Sequence, residues 1–146
     1  MFATTDCVAA SSTRLGIPFG LLTSGSRMSS RGASLTDPRR VIGRVALSNI
    51  VRGASLSCTA GYGLAPEATG NGYMTEALSA VVGIAFDHLR LHRVEVNVIP
   101  RNARSLAVAE RCGFEREGFS PRYLNIAGRW EDHLRLARRN LSMETE

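Results

Sequence analysis

A Gly-rich break that opens directly into an amphipathic helix, with strand-like runs on either side, confines this chain to folds that mix helix and sheet. Ser55–Gly63 reads as an extended run, and Pro66 and Thr69-Gly70-Asn71-Gly72 then interrupt the chain. From about Tyr73 to Leu89 apolar residues recur every four positions (Tyr73, Ala77, Val81, Ala85, Leu89), flanked by Leu78, Val82 and Phe86, which is a helix with one face to bury. His92–Val98 then alternates, with Val94, Val96 and Val98 on one face and Arg93, Glu95 and Asn97 on the other. After Pro100, Asn102 is placed to cap a second, shorter helix running through Cys112, and Gly113 to stop it. Upstream, Val41–Val51 pairs naturally with Ser55–Gly63 across Arg52-Gly53. Downstream, Phe114–Ile126 and Arg129–Ala137 flank the turn Ala127-Gly128 as a long hairpin with Trp130 beside it. The order β-β-α-β-α-β-β predicts an α/β (α+β) fold. Its central sheet is mixed and mostly antiparallel, with helices on its faces, because each helical crossover can join parallel strands.

The length, 146 residues, allows one core and one domain. No apolar run approaches the roughly 20 residues of a membrane helix. Cys7, Cys58 and Cys112 are odd in number and widely spaced, which argues against a disulfide framework and for a reducing, cytoplasmic setting. No Cys/His cluster has zinc spacing, so no metal is expected. All 18 basic residues are arginine and the net charge is +5, which favours acidic partners or a phosphate-bearing ligand. The arginines are scattered, so nucleic acid is a weak candidate; Arg135, Arg138 and Arg139 are the residues that such binding would use.

Composition shifts near Asp37-Pro38. Residues 1–37 are Ser/Thr-rich, poor in acids and without a persistent period, and read as an irregular N-terminal segment. Residues 38–140 carry the domain, and 141–146 read as a frayed tail.

Two features carry chemistry. The turn Thr69–Thr75 leaves backbone N–H groups unpaired at the positive end of a helix dipole, a natural anion site; a tight turn needing only glycine's freedom is the competing reading. A dinucleotide fingerprint fails because Thr75 stands where its third glycine belongs, and a Walker loop fails for lack of lysine. The second feature is Asn102-Ala103-Arg104-Ser105, which by itself reads as a helix cap.

Together these stretches resemble the GNAT N-acetyltransferases, particularly their ribosomal-protein alanine/serine (RimJ/RimL-like) branch. The resemblance rests on Gly70-Asn71-Gly72-Tyr73-Met74-Thr75-Glu76-Ala77, Leu91-His92-Arg93-Val94-Glu95, Asn102-Ala103-Arg104-Ser105, Cys112-Gly113-Phe114-Glu115-Arg116-Glu117-Gly118 and Gly128-Arg129-Trp130-Glu131-Asp132-His133, in this order and spacing. It implies that two adjacent strands splay apart to admit the pantetheine arm of acetyl-CoA, one ending near Gly63–Ala65 and the other being His92–Val98. It further implies cofactor contacts from Leu64, Ala65, Thr69, Gly70, Asn71, Gly72, Tyr73, Met74, Thr75 and Asn102, with Ser105 near the sulfur. The family usually places Arg or Gln at the position of Thr69 and Gly or Ala at that of Met74, so Thr69 removes a phosphate contact and Met74 is expected to crowd the turn. The strand and two helices that usually precede the position of Val41 are not recognisable, as in a degenerate or N-terminally truncated member.

The implied reaction is direct attack of an amine on the thioester. Backbone N–H groups near Leu64–Ala65 would polarise the carbonyl, Tyr123 or Ser105 would supply a proton to the thiolate, and Glu95 would serve as base. Tyr123 could instead only line the hairpin, and Glu95 could only pair with an arginine. His88, His92 and His133 read as surface or packing groups, and Cys112 as a helix-end packing residue. The acceptor implied is a protein N-terminus, as in a ribosomal protein, or a small amine; no membrane partner is expected. The alternative is a catalytically weak homologue serving as a CoA-binding or regulatory module. An unpaired edge on the C-terminal hairpin would suit a homodimer.

Overall fold

The computed structural model describes residues 10–11, 18–23, 31–37 and 40–145. Among these, one eight-stranded sheet has the order β1-β2-β3-β4-β5-β6-β8-β7. Its strands are β1 (Ala10–Ser11), β2 (Pro18–Thr23), β3 (Arg31–Asp37), β4 (Arg40–Val51), β5 (Ser57–Leu64), β6 (Arg93–Val98), β7 (Glu115–Ile126) and β8 (Arg129–Arg139). Helix α1 (Tyr73–Asp87) links β5 to β6, and α2 (Ala103–Arg111) links β6 to the terminal hairpin. Only β5 and β6 run parallel, as the helical crossover between them permits; every other neighbouring pair is antiparallel. The predicted α+β fold with its β-β-α-β-α-β-β core is therefore the fold observed.

The predicted helix stripe is the buried face of α1: Ala77, Leu78, Val81, Val82 and Ala85 are enclosed, as is Leu89 just beyond the helix. They meet Val45 and Leu47 of β4, Cys58 and Ala60 of β5, Val94, Val96 and Val98 of β6, Leu136 of β8, and Leu106 and Ala109 of α2. Truncating a side chain such as the fully buried Leu78 would cost about 2–5 kcal/mol. Because α1 and α2 share this cluster with the valines of β6, both helices lie on one face of the sheet. Arg93, Glu95 and Asn97 alternate to the opposite face.

Two expectations need correction. The stretch 1–37 contributes β1, β2 and β3, with β3 zipped onto β4 from Arg31↔Leu47 to Asp37↔Arg40. Successive ladder pairing, β3 on β4, β2 on β3 and β1 on β2, orders these short segments, which have no strong period of their own; the remaining residues of that stretch lie outside those described. The tail is also tied down. Leu141–Met143 form a 3-10 turn, the Asn140 N–H donates to the His92 carbonyl (2.7 Å), and the Glu144 carboxylate meets His92 (2.8 Å) and Arg139 (3.0 Å).

Candidate active site

The β5–β6 ladder joins Ser57–Thr59 to Arg93–Glu95 and stops there, although β5 continues to Leu64 and β6 to Val98. Hydrogen bonds flanking this region fix which way the backbone points. Ala65 N–H donates to the Ile42 carbonyl (2.7 Å), so odd-numbered residues of β5 face β4 and even-numbered ones face β6. Asn140 N–H donates to the His92 carbonyl, so odd-numbered residues of β6 face β5. Beyond the last rung, the N–H and C=O groups of Tyr62 and Leu64 and the N–H of Asn97 therefore point into the gap without a ladder partner. A cleft of about 210 Å³ lies at this divergence, lined among others by Ala60, Tyr62, Asn97, Asn102, Ser105 and His133. The same geometry separates two sequence-predicted donors. Leu64 N–H faces the gap, whereas Ala65 N–H is consumed by Ile42 and is not available to polarise a substrate carbonyl.

Both helices begin at this end of the parallel strands. In the turn before α1, Gly70 (φ 84°) and Gly72 (φ 78°) take the left-handed conformation that glycine adopts without strain. Gly72 is the N-cap and offers no side chain, so the first helical N–H groups stay uncapped. Among the described residues, none of the N–H groups from Gly70 through Thr75 donates within the protein. Side chains in the turn bond inward: Thr69 Oγ1 to the Pro66 carbonyl (2.7 Å) and Asn71 Nδ2 to the Ala68 carbonyl (3.2 Å). Thr69 thus shapes the turn. Met74 does not crowd the turn: it is buried in the core on the inner face of α1. Tyr73 is half-buried against the same core, and Thr75 accepts a bond from Cys112 Sγ at its carbonyl (3.3 Å).

Asn102 caps α2 as predicted, its Oδ1 accepting from Ser105 N–H (3.2 Å), which leaves its exposed Nδ2 as a donor. The Ser105 carbonyl accepts from the Tyr62 hydroxyl (2.8 Å), so Tyr62 ties β5 to the first turn of α2 across the mouth of the cleft. Burial raises the Tyr62 pKa above the ordinary tyrosine value, keeping the hydroxyl a donor. Ser105 Oγ makes no hydrogen bond among the described residues.

The proposed acid and base separate in the structure. β7 is irregular between Ser120 and Leu124, and Arg122 N–H in that bulge donates to Asp132 Oδ1 (2.8 Å). The bulge re-aims Tyr123, whose ring meets His133 edge-on (centroids 5.8 Å apart, 65° between planes). Glu95, by contrast, does not line the cleft. Its Oε1 is held by Arg93 Nε (2.6 Å), and Arg93 also grips Glu117 through both carboxylate oxygens. Glu95 thus pairs with an arginine outside the cleft lining, and the structure does not bring it to the place a base would occupy.

Sequence reasoning missed three lining residues. Tyr62 carries no signal beyond its place in the extended run Ser55–Gly63, and Asn97 reads as part of a polar strand face. His133 is no surface residue: it is 3% exposed and lines the cleft, with Nδ1 on the Glu131 carbonyl (3.0 Å). The ribosomal-branch stretch ending in Asp132-His133 was its signal. Cys112 packs the end of α2 against α1 through Ser79 Oγ (3.4 Å) and the Thr75 carbonyl, as expected. Arg138 is occupied by the Cys112 carbonyl (2.8 Å) and the Phe86 ring, and Arg139 by Glu144, which weakens an RNA-facing reading of these arginines.

The profile of the acetyltransferase (GNAT) domain family matches residues 12–115. YjcK of Bacillus subtilis (strain 168), named a probable N-acetyltransferase, is 47% identical over 98 residues, covering 67% of this chain and 54% of the relative. The ribosomal protein uS5-alanine N-acetyltransferase of Escherichia coli (strain K12) is 39% identical over 98 residues, covering 67% of this chain and 50% of the relative. The chain thus spans about half the length of these curated relatives. Mycobacterium smegmatis RimJ, solved in complex with CoA-disulfide, superposes with a TM-score of 0.74 at 33% identity, over 78% of this chain and 55% of that one. A parted parallel strand pair, the uncapped N-terminus of α1 at its open end and these sequence matches together place the chain in the GNAT acetyltransferase family.

Proposed function

We propose that this chain transfers the acetyl group of acetyl-CoA to an amine, and that the amine is a protein N-terminal α-amino group of the ribosomal type. The observation that carries the reading is the early end of the β5–β6 ladder, which leaves strand-spaced donors and acceptors on Tyr62, Leu64 and Asn97 facing an open cleft. An extended arm bearing amides complements such edges as an added strand does. The residues present fit acetyl-CoA: the free N–H groups of Gly70–Thr75 suit its pyrophosphate, and Asn102 Nδ2 suits a carbonyl of the arm. Leu64 N–H would polarise the thioester carbonyl, and Tyr123 or Ser105 Oγ would deliver a proton to the leaving sulfur.

The ribosomal-type acceptor rests on likeness to the uS5-alanine enzyme. The free thiols of Cys58 and Cys112 support a reducing compartment such as the cytoplasm. The edge strand β7, with Phe119, Leu124 and Ile126 exposed, supports a homodimer. The test is calorimetry with acetyl-CoA, followed by transfer of labelled acetyl to peptides beginning with alanine or serine and to spermidine. Micromolar binding with peptide acetylation is the expected result; a folded chain that binds no acetyl-CoA refutes the proposal.

A further inference from the structure

Glu95 lies outside the cleft lining, so a group that receives the amine's proton directly must come from the cleft's own walls. Besides Ser105 Oγ, its walls hold two side chains with an unused acceptor atom. Asn97 Oδ1 is buried without a hydrogen-bond partner among the described residues. An unpaired buried carbonyl destabilises the fold, and so its retention points to a ligand. His133 is the second. A ring nitrogen facing a carbonyl must carry the hydrogen, so its Nδ1 donates to the Glu131 carbonyl. In the neutral ring Nε2 is then an acceptor, and it makes no hydrogen bond among the described residues.

The sheet brings the two together. Asn97 pairs with Arg135 across β6 and β8, and His133 lies two residues along β8 on the same face. They are diagonal cross-strand neighbours, about 7 Å apart at Cα. That face is opposite α1 and α2, whose N-termini suit the phosphates, so an amine reaching the thioester from the open face would meet Asn97 and His133.

We infer that Asn97 Oδ1 and His133 Nε2 form the seat of the acceptor amine, and that His133 takes the first proton; the inference rests on the acetyl-transfer reading. One proton of the ammonium passes to Nε2, and the freed lone pair forms the C–N bond. The C–S electron pair leaves on sulfur, which takes the second proton, and the third stays on the amide. His133 then returns its proton to water, so each turnover releases one proton. The charged and titratable groups around the ring are Tyr123 on β7 and Glu131 (held by Arg101) and Arg135 on β8.

The experiment compares the parent with Asn97→Leu and His133→Gln. It uses acetyl-CoA calorimetry, thermal denaturation, kcat and KM against pH for alanyl and seryl peptides and spermidine, and ¹⁵N NMR of the imidazole. Both variants are expected to bind acetyl-CoA as the parent does. Asn97→Leu should raise the KM for amine about 10- to 100-fold while raising Tm, because the unpaired carbonyl is gone. His133→Gln should lower kcat and shift the acid limb of the pH profile, and the parent's spectrum should show Nδ1 protonated and Nε2 free. Variants with the parent's amine KM and pH profile, or an Nε2-protonated neutral ring, overturn the seat alone. A parent that binds no acetyl-CoA, or binds it and acetylates none of the three amines, overturns the acetyl-transfer reading and the seat with it.

Discussion

Replacing Gly72 with Asp tests the phosphate cradle directly, because the position is crowded by nothing and constrained only by its φ of 78°. A β-carbon there meets no atom within 4 Å, so the perturbation separates into backbone strain and charge. Left-handed backbone costs about 1–2 kcal/mol for an ordinary residue, and less for Asn or Asp. In a domain of this size that lowers Tm by roughly 2–4 °C per kcal/mol. Gly72→Asn carries nearly the same strain without the charge. Against one phosphate charge ~5 Å away, a carboxylate adds about 3 kcal/mol of repulsion at an effective dielectric near 20 and about 0.8 kcal/mol in bulk water. The turn is exposed, which puts the effect between these limits, at about 1–2 kcal/mol or a 5- to 30-fold weaker Kd. Calorimetry on both variants in low salt, repeated at 0.5 M salt, should show Asp binding acetyl-CoA more weakly than Asn, with the gap narrowing as salt rises. Equal affinities for Asp and Asn at low salt would refute a pyrophosphate at this turn.

Asn102→Ala should lose both the cap on Ser105 N–H and the Nδ2 donor, costing about 1 kcal/mol of stability and weakening acetyl-CoA binding. Asn102→Asp should restore the stability but not the binding, a split read by Tm and calorimetry. Glu117 is held below the ordinary carboxylate pKa by the Arg93 guanidinium. A depressed pKa contributes stability that is present above the unfolded value, about 4.3, and is lost as pH falls through the lower folded value. Glu117→Gln should therefore leave a flatter acid limb in a Tm-versus-pH series. Burial pushes the Cys58 thiol up to about 12, so alkylation at pH 8 should be slow in the folded chain and become fast on unfolding, as followed by mass spectrometry.

The elements with strong local signals lay where their residues placed them. The four-residue stripe set α1, the valine alternation set β6, and Asn102 and Gly113 bracketed α2, because each depends on neighbours within a few positions. The strands up to Asp37 escaped notice since their order comes from successive pairing outward from β4, contacts that local pattern does not encode. The site divides the same way. The turn Gly70–Thr75 and the Asn102 cap are local backbone chemistry and were legible. Whether Leu64 or Ala65 offers its N–H, and whether Met74 faces the turn or the core, depends on ladder register and helix phase against the sheet.

By itself, then, the sequence determined an α+β chain with a Gly-rich turn that opens into α1 and a capped second helix, because propensity, period and glycine backbone act over short range. The tertiary structure alone decided the chemistry of the cleft. Strand order set Arg93 between Glu95 and Glu117 and left Glu95 outside the cleft lining. Pairing of β6 with β8 put Asn97 beside His133, residues far apart in the chain, and the bulge in β7 turned Tyr123 onto the imidazole. Proton transfer needs groups within a few ångströms of one another, and for residues so distant in sequence only the folded sheet fixes that distance.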